Sequence, residues 1–247
     1  MIDDAVEALR DGKAILLYDF DDRETETDIV IPAESVKPKD VYRLRRDAGG
    51  LICTAIDPVV CEIIGIPYIV DVLRFAGNSG NGFKAIESIY ERAGDIPYDT
   101  KSSFSLWVNH RKTFTGITDN DRALTINKLA EITKKALDGE TVNFGAEFRS
   151  PGHMPLLRGA PNLLKDRRGQ TELSLVLARA AGIVPAMVMC EMMDGETGKA
   201  LSKKDAIEYG KKHGFVFVEG KEVMEYFQKH MNENMASIKE KVSQGVL

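Results

Sequence analysis

The chain has 247 residues, 43% of them hydrophobic and 29% charged, a balance typical of a folded globular protein and too apolar for a disordered chain. The formal net charge of -5 gives no bulk attraction to nucleic acid or to an anionic membrane, and no apolar stretch approaches the ~18 residues of a membrane span, so we expect neither partner. The three cysteines form no CxxC pair and no basic, apolar leader is present, which predicts a reducing, cytoplasmic environment.

Helix and strand patterns alternate along the chain. The first pattern along the chain predicts a helix at Ile2–Arg10, and the next two predict buried strands at Ala14–Tyr18 and Ile29–Ile31. The glycine-rich interval Ala76–Gly82 predicts a surface loop. The remaining predicted elements are, in order, a helix near Pro38–Ala48, a strand at Leu51–Ala55, a helix near Val59–Ile64, a strand at Phe104–Val108, a helix at Thr125–Leu137, a strand at Pro155–Leu157, a helix at Glu172–Ala181, a strand at Pro185–Cys190, a helix at Lys203–Lys212, a strand at Phe215–Val218 and a helix from Glu222 onward.

The most informative segment is the acidic loop Asp19–Asp28, which carries six carboxylates and one arginine in ten residues. Such a group is either solvated or gathered around a cation, because its like charges repel one another. The loop follows a predicted buried strand, where sites of α/β proteins commonly lie. A hard divalent ion such as magnesium would suit these oxygen ligands.

Two further clusters carry candidate chemistry. In Arg149–His153 a histidine follows Pro-Gly in a predicted turn, and His153 is the best general-base candidate among the four histidines. A lowered pKa would make Cys53 an alternative base, and the carboxylates of the acidic loop are another. In Lys165–Glu172 two arginines precede a helix predicted to begin near Thr171. This segment is either a phosphate-binding site or a basic loop with a threonine cap.

Several segments together resemble one family. They are Asp22-Arg-Glu-x-Glu-x-Asp28, Asp47-Ala-Gly-Gly-Leu-Ile-Cys53, Thr115-Gly-Ile-x(4)-Arg122, Phe148-Arg-Ser-Pro-Gly-His153, Arg167-x-Gly-x-Thr-Glu172 and Cys190-Glu191. Their order and approximate spacing resemble the 3,4-dihydroxy-2-butanone 4-phosphate synthase family over nearly the whole chain, to about Phe227. The chain looks most like the monofunctional, archaeal type.

The resemblance implies a single α+β domain with a mixed β-sheet core flanked by helices, here over residues 1–230, followed by a polar helical tail at 231–247. It also implies a homodimer with its active sites at the subunit interface. The reaction it implies belongs to riboflavin biosynthesis: D-ribulose 5-phosphate loses C4 as formate and leaves L-3,4-dihydroxy-2-butanone 4-phosphate. The implied cofactor is Mg²⁺ or Mn²⁺, with two ions per site.

The resemblance also gives a role to most of the candidate residues. Glu24 looks like a metal ligand, and Glu26 beside it like a catalytic carboxylate. His153 matches a proton-transfer group and Cys53 a catalytic pocket thiol. The residues that match substrate contacts are Arg23, Asp28 and Glu191, with Arg167, Gly169 and Thr171 on the phosphate side.

Two positions depart from the implied pattern. Thr25 stands where the resemblance implies a glycine that could take a positive φ, so a different loop path is expected. Gln170 stands where it implies a histidine, the second protein ligand of the metal, and its amide oxygen is an uncharged substitute. The alternatives are therefore a diverged paralogue that binds a sugar phosphate with weak or no turnover, and another sugar-phosphate enolising enzyme.

Overall fold

A seven-stranded mixed sheet forms the centre of the computed structural model, which describes residues 2–80 and 84–230. The strands are β1 (Ile15–Tyr18), β2 (Thr27–Pro32), β3 (Cys53–Ile56), β4 (Phe104–His110), β5 (Phe148–Arg158), β6 (Ala186–Glu191) and β7 (Val216–Glu219). Their order across the sheet is β4-β5-β3-β6-β2-β1-β7. The β1/β7 and β3/β5 pairs are parallel and the other neighbours antiparallel, so β4 and β7 form the two edges.

Helices cover both faces of this sheet. Their bounds are α1 (Ile2–Arg10), α2 (Pro38–Arg43), α3 (Pro58–Ile64), α4 (Ile69–Asn78), α5 (Ile86–Ile89), α6 (Asp119–Leu137), α7 (Phe144–Glu147), α8 (Gln170–Ala181) and α9 (Lys203–His213). A π-helical turn, Leu44–Ala48, follows α2, and residues 220–230 are also helical. The sequence patterns missed α4, α5 and α7, of which the last two have only four residues each.

The alternation of side chains along each strand divides the core between the two faces. One apolar cluster joins Leu16, Ile29 and Val188 of the sheet to Leu129 of α6. The other joins Met187 and Met189 to α8 and α1. The predicted α+β class with a mixed sheet flanked by helices is therefore confirmed, and α8 lies against the face that carries the candidate site.

The structure corrects two of the predictions. The segment Arg149–His153, predicted as a turn, lies within the long strand β5, which pairs with β4 through a register shift between Val108 and Asn109. A Cβ on Gly152 would lie 2.0 Å from the Val108 carbonyl carbon, so the glycine permits close strand contact.

The glycine-rich interval is also not wholly a loop, because Ala76, Gly77 and Asn78 end α4. A Cβ on Gly77 would lie 3.1 Å from the Ile86 carbonyl oxygen, so glycine lets α5 approach α4. Residues 81 and 82 of that interval and the predicted tail at 231–247 lie outside the described residues. Among helices of the described part of the chain, none has both the length and the apolar character needed to cross a membrane.

Candidate functional site

A cavity of about 120 Å³ lies between the sheet and the N-terminus of α8. Its walls include Asp28 of β2, Cys53 of β3, Glu191 of β6, and Gln170 and Thr171 of α8. We call it the inner cavity. Four motifs that are far apart in the sequence therefore meet at one place.

Strand register explains why the two carboxylates face each other. Asp28 and Glu191 are direct partners across the antiparallel β2/β6 pair, and directly opposed residues project to the same face. Glu191 accepts a hydrogen bond from the Leu51 backbone N–H at 2.7 Å. A Cβ on Gly50 would lie 2.3 Å from Glu191 Oε2, so this glycine makes room for the carboxylate.

The carboxylates of this region raise one another's pKa. Burial, with the charge of Glu191, raises the pKa of Asp28 well above its usual range, and Asp28 Oδ1 has no hydrogen-bond partner among the described residues. Burial also raises the pKa of Glu191. Burial and the charges of Glu24, Glu191 and Asp19 raise the pKa of Glu26 to about 7. These groups can therefore hold protons near neutral pH or bind a cation.

Cys53 lies in the same wall, but its environment does not favour a thiolate. The residue is 2% exposed. Burial, together with the charges of Glu191 and Asp28, raises the pKa of its thiol well above the ordinary value. At neutral pH Cys53 is therefore a neutral thiol, and the thiolate alternative for the base finds no support.

Asp19, at the end of β1, organises the acidic loop. Its buried carboxylate accepts hydrogen bonds from the backbone N–H groups of Glu24 at 2.9 Å and Glu26 at 3.0 Å. Thr25, between them, has φ 57°, so this residue takes the positive φ for which the sequence reasoning expected a glycine. The loop thus presents Glu24 to the inner cavity.

Gln170 lines the same cavity and has an unpaired amide oxygen. Its Nε2 donates to the carbonyl oxygens of Leu17 at 3.0 Å and Glu26 at 3.2 Å, which fixes the amide. Its Oε1 is buried and has no hydrogen-bond partner within residues 2–80 and 84–230. No three His, Cys, Asp or Glu side chains in that part of the chain form a metal-binding group by themselves. A hard cation commonly uses one or two carboxylates and several waters, so Glu24 with the Gln170 amide oxygen fits Mg²⁺.

Two guanidinium groups lie beside the acidic region. Arg23 is 2% exposed at its side chain and pairs with Asp19 at 3.3 Å and Glu24 at 2.8 Å. Arg167 pairs with the fully buried Glu172 at 2.8 Å. Both arginines line a more open neighbouring pocket of about 350 Å³, which we call the outer pocket.

The predicted phosphate-side residues lie together at the start of α8. Gly169 is the N-cap residue of α8, and a Cβ there would lie 2.0 Å from Arg167 Nη1. Glycine therefore lets the guanidinium lie over the helix N-terminus. The Thr171 hydroxyl is 3.1 Å from that of Ser103, on the opposite wall of the inner cavity. Anion binding at such a site is favoured by both the guanidinium and the helix end.

His153 is separated from this assembly within one chain. It lines neither the inner cavity nor the outer pocket and is exposed on β5. Asn109 accepts a hydrogen bond from the His153 backbone N–H at 2.8 Å, so its Nδ2 is the atom 3.1 Å from His153 Nδ1. In the neutral ring Nδ1 is then the acceptor, and Nε2–H points away from Asn109.

Sequence reasoning missed Asp99 and Asn109. Asp99 contacts both Arg23 and Arg167, and Asn109 orients His153. Neither residue belongs to a local motif, because each acts on partners tens of residues away in the chain. The position of Asn109 at the end of a predicted strand is the one available signal, and it is weak.

The fold and cavity define an α+β enzyme suited to a small anionic substrate. A family model described as 3,4-dihydroxy-2-butanone 4-phosphate synthase matches residues 3–226. A protein of that name from Methanosarcina acetivorans is 54% identical over 92% of this chain and 90% of its own length. One from Archaeoglobus fulgidus is 51% identical over 92% and 94% of the two chains. The chain therefore belongs to the 3,4-dihydroxy-2-butanone 4-phosphate synthase family, which confirms the resemblance and the enzyme class.

Solved structures agree with this assignment. A crystal structure of 3,4-dihydroxy-2-butanone 4-phosphate synthase from Candida albicans is 28% identical, with a TM-score of 0.68 over 92% of this chain and 96% of the other. Another synthase, in complex with two magnesium ions, shares the fold at 24% identity, with a TM-score of 0.70 over 93% and 97%.

Proposed function

We propose that this chain converts D-ribulose 5-phosphate to L-3,4-dihydroxy-2-butanone 4-phosphate and formate, with Mg²⁺ or Mn²⁺ as cofactor, in riboflavin biosynthesis. The observation that carries the proposal is the inner cavity. Its wall combines the carboxylates Asp28 and Glu191, whose pKa values are raised, with Arg167 and Thr171 at a helix N-terminus. One half suits proton transfer and cation binding, and the other suits a phosphate.

The phosphate end of the substrate is proposed to bind at the start of α8. Arg167 and Arg23 would supply guanidinium donors, Thr171 a hydroxyl, and Gly169 the space that brings Arg167 close to the helix end. Binding energy at this non-reacting end orients the reacting carbons.

Glu24 and the free amide oxygen of Gln170 are the residues proposed to hold the divalent cation, of which the resemblance implies two per site. When bound, the cation supplies a Lewis acid that stabilises negative charge on the ketose oxygens. The hydrogen bonds of Gln170 to two carbonyl groups and of Asp19 to the loop backbone hold these ligands in place before binding.

Enolisation requires a group that takes a proton from C1 and groups that exchange protons with the hydroxyls. Glu26, with its pKa near 7, is proposed for proton exchange around the inner cavity, together with Asp28 and Glu191, whose pKa values are raised. Cys53 is proposed to act there as a neutral thiol. His153 remains the proposed base for C1.

A homodimer would bring His153 to the cavity of a second subunit, as the implied interface site requires. The region around His153 supports a partner surface: Trp107 is 42% exposed on the edge strand β4, and Phe114, in the loop after β4, is 93% exposed. Edge strands with exposed apolar side chains are commonly covered in an assembly. Residues 1–230 would form the catalytic domain of this cytoplasmic enzyme, with no nucleic-acid or membrane partner.

The decisive assay is formate release from ribulose 5-phosphate during a titration of Mg²⁺ and of Mn²⁺, with the product identified by NMR. We expect stoichiometric formate and the four-carbon phosphate. Binding of ribulose 5-phosphate without turnover would favour the diverged paralogue. A five-carbon product would favour another enolising enzyme.

Mixing two inactive variants tests the shared site. Asp28→Asn and His153→Ala homodimers, unfolded and refolded together, should yield heterodimers in which one of the two sites has both residues. Random assembly then restores about a quarter of the parental activity. Refolded mixtures without any regained activity would show that each site is complete within one subunit.

A further inference from the structure

The side chain of Asp99 occupies the position between the two arginines. Its Oδ2 lies 2.7 Å from Arg23 Nη2 and 2.6 Å from Arg167 Nε, and the side chain is only 7% exposed. We propose that Asp99 is an internal competitor for the substrate phosphate, and that phosphate binds by displacing this carboxylate from Arg23 and Arg167. The inference rests on the phosphate assignment of the proposed function.

The geometry of the contact indicates a substitute ligand. Arg167 Nε is buried and has no hydrogen-bond partner among the described residues, although Asp99 Oδ2 is so close, because the contact is poorly aligned. One carboxylate oxygen thus serves two guanidinium groups. A phosphate offers three terminal oxygens and could satisfy both arginines with aligned hydrogen bonds.

Asp99 also closes the space that the substrate requires. Tyr98, Asp99 and Arg167 line both the inner cavity and the outer pocket, so they form the wall between them. The inner cavity, at about 120 Å³, is well below the ~300 Å³ at which ordinary ligand pockets begin. Moving Asp99 aside would join the two spaces and expose the arginines to the inner cavity.

The neighbouring chain restricts this movement to a short segment. Lys101 pairs with Asp71 of α4 at 2.8 Å, and its Nζ lies 3.7 Å from the centre of the Tyr68 ring. The Ser102 backbone N–H donates to Glu91 at 2.9 Å. Residues after Asp99 are therefore anchored, whereas the Asp99 side chain itself is held by the arginines and by the Thr100 N–H at 2.9 Å.

The test measures binding of inorganic phosphate by calorimetry to the full chain and to Asp99→Asn. The amide removes the competing charge at nearly constant volume, and we expect the dissociation constant to fall about tenfold. Asp95→Asn is the matched control, because Asp95 is an exposed carboxylate in the same segment that accepts from the Arg92 N–H. It should leave the affinity unchanged. If circular dichroism shows that Asp99→Asn folds poorly, Asp99→Ala takes its place in the test. The same tenfold fall in the dissociation constant is expected for it.

An affinity of Asp99→Asn equal to or weaker than that of the parent chain would overturn the inference, since Asp99 would then not compete with phosphate. The gain must also shrink when Arg167→Ala is added, because that guanidinium is one of the two for which Asp99 competes. An undiminished gain in the double variant would equally overturn the inference. Tighter phosphate binding without formate release from the parent chain would instead retain the inference and refute the proposed reaction.

Discussion

Glu26→Gln is expected to stabilise the metal-free protein at alkaline pH. In the folded chain burial and the charges of Glu24, Glu191 and Asp19 raise the pKa of Glu26 from 4.5 to about 7. Between these two values the folded state keeps a proton that the unfolded state has lost. The free energy of unfolding therefore falls as pH rises from about 4.5 to about 7, and above that range the whole penalty is present.

The size of the effect follows from that pKa. A rise in pKa from 4.5 to about 7 means that ionised Glu26 destabilises the folded state by at most ~3 kcal/mol. Glu26 is only partly buried, so solvent screening reduces the expected penalty to ~1–2 kcal/mol. For a chain of this size, removing it should raise Tm by ~2–8 °C.

Thermal unfolding in EDTA at pH 8 and at pH 4.5 measures the difference between Glu26→Gln and the parent chain. EDTA is needed because a bound cation would itself neutralise the repulsion. The gain in Tm should be present at pH 8 and nearly absent at pH 4.5. Glu208→Gln, an exposed site on α9, is the matched control and should change Tm at neither pH. Equal Tm values for Glu26→Gln and the parent at pH 8 would refute the reasoning.

Substitutions at three further positions test the proposed roles. Gln170→His should tighten Mn²⁺ or Mg²⁺ binding by ~10–100-fold in calorimetry, because the family resemblance implies a histidine as the second protein ligand at this position; unchanged affinity would count against this ligand assignment. Arg167→Lys should weaken ribulose 5-phosphate binding by about tenfold, because the charge remains but the planar fork is lost; equal affinity would place the phosphate elsewhere. His153→Ala and His153→Asn should still bind ribulose 5-phosphate but lose exchange of its C1 hydrogens with deuterated water. Exchange at the parental rate would move the base to a carboxylate such as Glu26, since burial keeps Cys53 neutral.

Local patterns were sufficient for much of the fold because strands such as β1, β2 and β6 contain buried runs of apolar residues. The β6 strand was predicted at Pro185–Cys190 and observed at Ala186–Glu191, and α1 was predicted at its observed bounds. The α6 helix begins at Asp119, six residues before the predicted Thr125, because the polar first turn carries no apolar period. The Thr118 side chain caps it by accepting from the Asp121 N–H.

In the site, too, residues within local motifs were predictable from the sequence, whereas contacts between distant segments were not. Asp28, Glu191 and Arg167, which belong to short sequence motifs, lie around adjoining cavities, so local sequence was sufficient to find them. The contact of Asp99 with the arginines depends on how residues 90–103 pack over α8, and no spacing in the sequence encodes it. The role of His153 stays a prediction, and its position within a strand depends on pairing with β4.

The two halves of the site differ in how their charges are balanced in the free chain. Arg23 and Arg167 have carboxylate partners in Asp99, Glu24 and Glu172, so the basic half is already neutralised from within. In the acidic half Glu24 pairs with Arg23, but Asp28 has no cationic partner among the described residues and is buried with an unpaired oxygen. A cation therefore removes an existing repulsion when it binds, whereas a phosphate must exchange one anionic partner for another. Cation binding should consequently stabilise the fold more than phosphate binding at equal free concentration, since the stabilisation grows with the ratio of ligand concentration to dissociation constant.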